Sequence, residues 1–198
     1  KGYILATTID LCGQEDIPFG ADLIFQVRNI PHFRFYIEIC EDVWVEGGPT
    51  ERSAAKNHTS LVLNLSASPF HAGKFGTRSA VLARFARRTA AYVAYTNLVG
   101  GQDELVFDGR CLVVDANGQT LFEAPGFQED LLIIDCVKQG DAALKITSPC
   151  AAPWKQGAEE PMAEVWQALV LGTADYVHKN NFSKVLLGIS GGVDSALT

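Results

Sequence analysis

The chain has 198 residues, a formal charge of −7 from 16 Lys plus Arg against 23 Asp plus Glu, and 47% hydrophobic residues; a core of that size folds without metals or disulfides. An acidic chain with no basic run is not built to bind nucleic acid, which needs clustered Lys and Arg, and no apolar stretch approaches the ~20 residues of a membrane-spanning helix. The five cysteines, at 12, 40, 111, 136 and 150, show no CxxC spacing; reduced thiols in a cytoplasmic protein are expected, against a disulfide framework or a zinc ribbon.

There is no initiator Met, and the sequence stops at Leu197-Thr198 where a helix would begin, so a piece of a longer chain is expected. Residues 35–40 (FYIEIC) are an aromatic and β-branched run that predicts a buried strand ending at Cys40. Gly47, Gly48 and Pro49 mark a loop, and 51–58 predicts a helix with Thr50 as N-cap. A second buried strand is expected over 61–65 (LVLNL), then a helix over 78–91, where Val81, Leu82, Phe85 and Ala86 recur at helical spacing. A strand over 91–96 leads to a turn at Gly100-Gly101. Next, 105–107, 111–114 and 120–123, with a hairpin turn at Asn117-Gly118, predict a meander. Residues 131–135 (LLIID) read as the last strand of this block, which predicts a mixed α/β sandwich.

From about 137 to 160 no period is sustained, and Pro149 and Pro153 interrupt the pattern, which reads as a linker. An amphipathic helix is expected over 161–179, with Val165, Leu169, Ala174 and Val177 on one face, and then a buried strand over 182–189 (FSKVLLGI). The expected division is residues 1–137, a linker at 138–160, and the start of a second domain at 161–198.

That strand runs into SGGVDS. Two glycines let backbone N–H groups close on an anion, and a helix start adds its positive dipole end. Ser190 and Ser195 supply hydroxyl donors, and Asp194 supplies an oxygen ligand for the Mg2+ that neutralises a phosphate. The competing reading is a plain Gly-Gly turn with Ser195 as a helix N-cap. The Gly-Lys-Ser/Thr of a Walker A loop is absent. Cys40, at a strand-end turn, lies where catalytic groups of open α/β folds gather. Amide hydrolysis by a cysteine needs a thiolate, a base and donors to the oxyanion; on position alone a buried apolar cysteine is the competing reading.

The surroundings of both motifs carry a resemblance. The strings IEICEDVW, LNLSASPFHAGK and AYVAYTNLVGGQDELVFDG resemble the carbon–nitrogen hydrolase (nitrilase) superfamily in its glutaminase version. SGGVDS after VLLGI resembles the pyrophosphate loop of N-type ATP pyrophosphatases. In this order, over nearly the whole chain, the two resemble the family of glutamine-dependent NAD+ synthetases. The fold so implied is α/β, an αββα nitrilase-like sandwich followed by the beginning of a doubly wound, Rossmann-like ATP pyrophosphatase domain.

By the same resemblance Cys40 is the amidase nucleophile, with the Glu41 N–H as oxyanion donor beside a lysine, and Ser68 and Lys74 bind glutamine. Gly188, Ile189, Ser190, Gly191, Gly192, Val193, Asp194 and Ser195 would cradle ATP, with Asp194 on Mg2+. The implied activity is ATP-dependent amidation of nicotinic acid adenine dinucleotide to NAD+ with ammonia released from glutamine, in a homo-oligomer. The superfamily triad is Glu, Lys and Cys, and its upstream Glu is absent from this sequence. Glu15 is a poor substitute; Glu38 shares a strand face with Cys40, but the family does not use it. Lys1-Gly2-Tyr3-Ile4-Leu5 resembles the start of the family's lysine strand, with Ala6-Thr7-Thr8 in place of Pro-Asn-Tyr. Lys1 is therefore the catalytic lysine if a segment is missing after Leu5, and a solvated terminal residue if not.

Other prominent residues read as structural: Trp44 and Phe107 as packing anchors, His71 as a loop residue, Arg84, Arg87 and Arg88 as a surface face, and the other four cysteines as inert thiols. Asp103 and Glu104, in GGQDE, also read as structural, with the mouth of the amidase as their alternative place. Two other enzyme classes stay open. A stand-alone carbon–nitrogen hydrolase would hydrolyse its amide without ATP, and a different pyrophosphate-loop ligase would carry another amidotransferase pattern. A non-enzymatic interaction module would bind without turnover.

Overall fold

The computed structural model describes residues 8–30, 33–139, 143–150 and 160–198. β1 (Thr8–Leu11) and β2 (Gln14–Pro18) form an antiparallel hairpin. The central sheet is built from β3 (Ile24–Gln26), β4 (Arg34–Ile39), β5 (Leu61–Ser66), β6 (Tyr92–Asn97), β9 (Leu112–Val114) and β10 (Thr120–Glu123). Their spatial order is β10-β9-β6-β5-β4-β3. β4, β5 and β6 run parallel, in a register that sets Ile39 opposite Leu65 and Ser66 opposite Asn97. β7 (Val99–Gln102) and β8 (Leu105–Asp108) form a separate hairpin between β6 and β9.

A 3-10 helix (Cys40–Trp44), α1 (Pro49–Lys56) and α2 (Lys74–Thr89) supply the crossovers between the parallel strands. Leu82, Phe85 and Ala86 of α2 pack with Ala54 of α1 onto Tyr36, Val62, Val93, Tyr95, Leu112 and Val114. Burial of three such large side chains as Leu82, Phe85 and Tyr95 contributes about 2 kcal/mol each before entropy is charged. The opposite face collects Leu61, Val113 and Phe122 under Leu132, Ile134, Leu144 and Ile146, while Ile37, Ile39 and Leu65 stay exposed on it. The α/β class is therefore the observed one, with α1 and α2 on one face of the sheet.

Several expectations are corrected. Gly48, not Thr50, is the N-cap of α1; Pro49 occupies the first turn, where its missing N–H costs nothing, and Thr50 is buried inside the helix. α2 begins at Lys74, a turn earlier than the apolar spacing predicts, because Gly73 at φ +77° turns the chain into it. Gly100 and Gly101 are not a turn but lie in β7; the turn is at Asp103-Glu104. Residues 131–134 make no sheet ladder, although Leu132 and Ile134 still cover the core. A hairpin of β11 (Asp135–Gln139) and β12 (Ala143–Thr147) runs into the predicted linker, and its Ile146 is buried against Phe122 and Val113. Residues 182–189 form no strand, and Leu186 is 96% exposed.

α3 (Pro161–Lys179) forms as predicted but packs with a different face. Glu164, Ala168, Gly172 and Asp175 turn toward β7 and β8, whereas Trp166, Leu169 and Val170 are exposed. Two glycines explain the choice. A Cβ on Gly101 would stand 2.9 Å from the Cα of Gly172, and one on Gly172 would stand 2.9 Å from Val106 Cγ2. Strand and helix therefore touch backbone to backbone. Asp175 Oδ2 accepts the Gly101 N–H at 2.7 Å, and Lys179 donates to the Gly101 carbonyl. Arg110 anchors the other end of the contact, reaching Glu123 at 2.9 Å and Glu164 at 2.5 Å.

Candidate active site

Cys40 leaves β4 at its C-terminal end and opens the 3-10 helix with φ +48°, a left-handed conformation that a side chain with a Cβ rarely adopts. Such a residue persists only where its surroundings over-determine it. Asp42 Oδ2 accepts the Ile39 N–H at 3.2 Å, and Asn64 Nδ2 lies 3.4 Å from the Cys40 carbonyl oxygen. The same Asn64 amide donates to Glu38 Oε1 at 3.1 Å, and its Oδ1 accepts the Ser66 hydroxyl at 2.6 Å. Glu38 and Asn64 are fully buried and stand opposite each other in the register of β4 and β5.

Burial pushes the Glu38 carboxyl up to about 8; the Asn64 hydrogen bond opposes this, Asp42 adds to it, Thr50 opposes it and Glu51 adds to it. A carboxyl that binds its proton more tightly folded than unfolded loses stability as pH rises through the interval between the two values. The penalty is absent below pH 4.5 and complete above about 8. Glu38→Gln removes it. The stability of that variant relative to wild type is expected to rise between pH 5 and 8, by about 2–4 kcal/mol at most, and then level off. Urea midpoints across that range measure it, and a pH-independent difference would count against the shift.

Ser68 is buried two residues beyond β5. Both of its backbone groups are held by Asn97 at the end of β6: the Ser68 N–H donates to Asn97 Oδ1 at 2.8 Å, and Asn97 Nδ2 donates to the Ser68 carbonyl at 3.2 Å. Asn97 Nδ2 also donates to Asp108 Oδ1 at 3.2 Å. Asp108 takes two further bonds from Arg78, at 2.8 and 3.0 Å, and both partners are 1% exposed. Burial works against the Arg78 charge, but the Asp108 carboxylate more than offsets it, so its pKa is raised. Lys74, the first residue of α2, sets its ammonium 5.5 Å from the centre of the Trp44 ring, in the helix that Cys40 opens. Cys40, Ser68 and Lys74 thus lie along one C-terminal edge of parallel strands, tied by Asn64, Asn97 and Trp44. Lys1 lies outside the described residues.

The loop at 188–195 is elsewhere on the chain. Gly191 has φ +84°, and α4 (Val193–Leu197) starts at once after Gly192. Ser195 Oγ accepts the Ser190 N–H at 3.1 Å, and Ser190 Oγ accepts the Gly192 N–H at 3.3 Å. Both hydroxyls therefore serve the loop's own backbone. A Cβ on Gly188 or Gly191 would meet nothing within 4 Å, so both glycines border open space. Asp194 lines, with Trp166, Leu169 and Val170 of α3, an open cavity of about 610 Å³.

Residues that a reading for motifs missed are Asn64, Asn97, Arg78 and Asp108. Each is a polar side chain of ordinary appearance whose partner lies on another element. The basic face at Arg84 and Arg88 pairs within the chain, with Glu46 and Glu51. Phe107 is buried, as a packing anchor should be.

Comparison with known proteins fits this arrangement. The carbon-nitrogen hydrolase family model matches residues 7–144, and the NAD synthase model matches residues 165–198. The chain belongs to the carbon–nitrogen hydrolase family. It is 39% identical over 181 residues to the glutamine-dependent NAD(+) synthetase of Xylella fastidiosa, covering 91% of this chain and 31% of that protein. To the enzyme of the same name from Thermotoga maritima it is 34% identical over 203 residues, 90% of this chain and 35% of that one. Among solved structures, the glutamine-dependent NAD+ synthetase of Acinetobacter baumannii in complex with ADP superposes with a TM-score of 0.75 at 38% identity, over 88% of this chain and 31% of that one. That of Cytophaga hutchinsonii gives 0.65 at 27% identity, over 97% and 28%. The chain spans about a third of the length of these relatives. No helix among the described residues is long and apolar enough to cross a membrane.

Proposed function

We propose that the full-length protein releases ammonia from glutamine at Cys40 and uses it, with ATP, to amidate nicotinic acid adenine dinucleotide to NAD+. The observation that carries this is the succession, in one chain, of a carbon–nitrogen hydrolase match and an NAD synthase match. A cysteine at a strained strand-end turn and a glycine loop opening a helix fall one in each. The parts are an amidase over 1–137, a joining segment over 138–160 that includes most of the β11–β12 hairpin, and the synthetase start over 161–198.

In the amidase, the Cys40 thiolate attacks the side-chain amide carbon of glutamine, with Ser68 and Lys74 holding the substrate and the Glu41 N–H donating to the oxyanion. With the proton that left the thiol delivered to the amide nitrogen, collapse of the tetrahedral species expels ammonia and leaves a thioester, which water cleaves to glutamate and the free thiol. At the second site the carboxylate of the dinucleotide attacks the α-phosphorus of ATP, pyrophosphate leaves, and ammonia then displaces AMP. The 188–195 loop binds the phosphates. A lone exposed carboxylate suits Mg2+, which takes one or two protein oxygens and completes its shell from phosphates and water; Asp194 is the residue that would hold it, and the ion would neutralise the phosphate charge. A cytoplasmic homo-oligomer completes the reading, and the exposed apolar face at Ile37, Ile39 and Leu65 supports assembly.

The test is synthesis with amide-labelled glutamine. The label is expected in NAD+ only when ATP and nicotinic acid adenine dinucleotide are both present. Hydrolysis of glutamine with no labelled NAD+ under any combination would favour a stand-alone hydrolase.

A further inference from the structure

The hydrogen-bonded pair Glu38 and Asn64 beneath Cys40 lies outside the superfamily triad. Glu38 is 1% exposed and Asn64 0%. One amide nitrogen of Asn64 faces both the Glu38 carboxyl oxygen and the Cys40 carbonyl. Ser66 fixes the other end of the Asn64 side chain, so the amide cannot rotate away without losing the 2.6 Å bond. Glu38 Oε2 and Thr50 Oγ1 are both buried without a hydrogen-bond partner. The Thr50 hydroxyl lies close enough to Glu38 to act on its ionisation. A hydrogen bond between Oε2 and the Thr50 hydroxyl would satisfy both orphans at once, with the hydroxyl donating to the carboxylate or accepting from the neutral acid. The charged groups facing the carboxyl are Asp42, from the 3-10 helix, and Glu51, from α1. Both are acidic, and neither supplies a counter-charge. These observations describe a neutral clamp placed on the backbone of the one cysteine held at positive φ at a strand end of the parallel sheet.

We propose that Glu38, in its neutral form, and Asn64 are positioning residues that hold the Cys40 carbonyl and so keep the nucleophile's turn in its left-handed conformation. The proposal rests on the assignment of Cys40 as the amidase nucleophile. Glu38 takes no proton from substrate; its effect passes through Asn64 to the backbone. A misplacement of the reacting group by an ångström costs about 100-fold in turnover, which is the scale expected when the clamp is removed.

The experiment uses the full-length protein and three variants: Glu38→Ala, Asn64→Ala and Glu38→Gln. For the two alanine variants we expect glutamine-dependent kcat to fall about 100-fold with KM changed less than about threefold, while ammonia-dependent NAD+ formation stays. Glu38→Gln, which keeps a neutral oxygen toward Asn64, restores kcat to within about fivefold of wild type. In parallel, the rate of Cys40 alkylation by iodoacetamide, read by mass spectrometry, shifts in the alanine variants and returns in the glutamine variant. A Glu38→Gln variant as impaired as Glu38→Ala would overturn the neutral clamp and point to a required carboxylate. Equal losses of glutamine- and ammonia-dependent synthesis would make Glu38 a fold residue only. Failure of the underlying assignment looks different: Cys40→Ala would then leave glutamine use intact, whatever the Glu38 variants do.

Discussion

Cys40→Ala in the full-length protein is expected to abolish NAD+ formation from glutamine, by about 1,000-fold or more, and to leave formation from ammonium salts close to wild type. The size follows from the chemistry. Without the thiol no covalent intermediate forms, and the oxyanion donors alone recover only a small part of the rate. The selectivity follows from the architecture. Cys40 sits at the C-terminal edge of β4, while the glycine loop closes its hydrogen bonds on itself after α3. The φ +48° turn is no harder for alanine to reach than for cysteine, so the fold is expected to survive where the chemistry does not. Steady-state assays with glutamine and with ammonium chloride, side by side, measure both quantities. Retained glutamine use would make Cys40 a packing thiol and remove the amidase from the proposed function.

How much of this was legible in the sequence depended on whether the signal was local. The parallel strands at 61–65 and 91–96 and the Asn117-Gly118 turn could be read because each carries its own pattern; Asp115 Oδ1 even accepts the N–H groups of Asn117 and Gln119, as an Asx-type turn should. Gly100-Gly101 could not, because Gly101 answers the backbone of Gly172, more than seventy residues away, and Gly100 answers the side chain of Asp175. The face of α3 was misread for the same reason. Its apolar residues are the stronger pattern, yet the contact with β7 is made by Glu164, Ala168, Gly172 and Asp175, where small size allows close approach and charge finds Arg110 and the Gly101 amide. The run LLIID has strand composition, but composition does not supply a neighbour for its backbone. At the site, Cys40 and the SGGVDS loop stood out as motifs. Asn64 and Asn97 did not, since an asparagine that positions a backbone has the same appearance as one in a turn.

Arg78→Met is expected to destabilise the protein by about 3–5 kcal/mol, a large share of the ~5–15 kcal/mol available to a domain. Arg78 and Asp108 are each 1% exposed and joined by two hydrogen bonds, with the guanidinium 5.2 Å from the Tyr95 ring centre. Removing the cation leaves Asp108 charged, buried and held only by Asn97. Leaving that carboxylate uncompensated is where the cost arises, more than from the bonds lost. The argument has a signature. Arg78→Met with Asp108→Leu removes both charges, and the double variant is expected to be more stable than Arg78→Met alone. Urea midpoints of the three proteins decide this; a single variant that costs less than about 1 kcal/mol would mean that water or another group reaches Asp108. The consequence extends to the site. Asp108 orients Asn97, and Asn97 holds both backbone groups of Ser68. A buried ion pair on α2 and β8 therefore sets the position of a proposed glutamine-binding residue, and the double variant, though refolded, is expected to raise the KM for glutamine while ammonia-dependent synthesis is untouched.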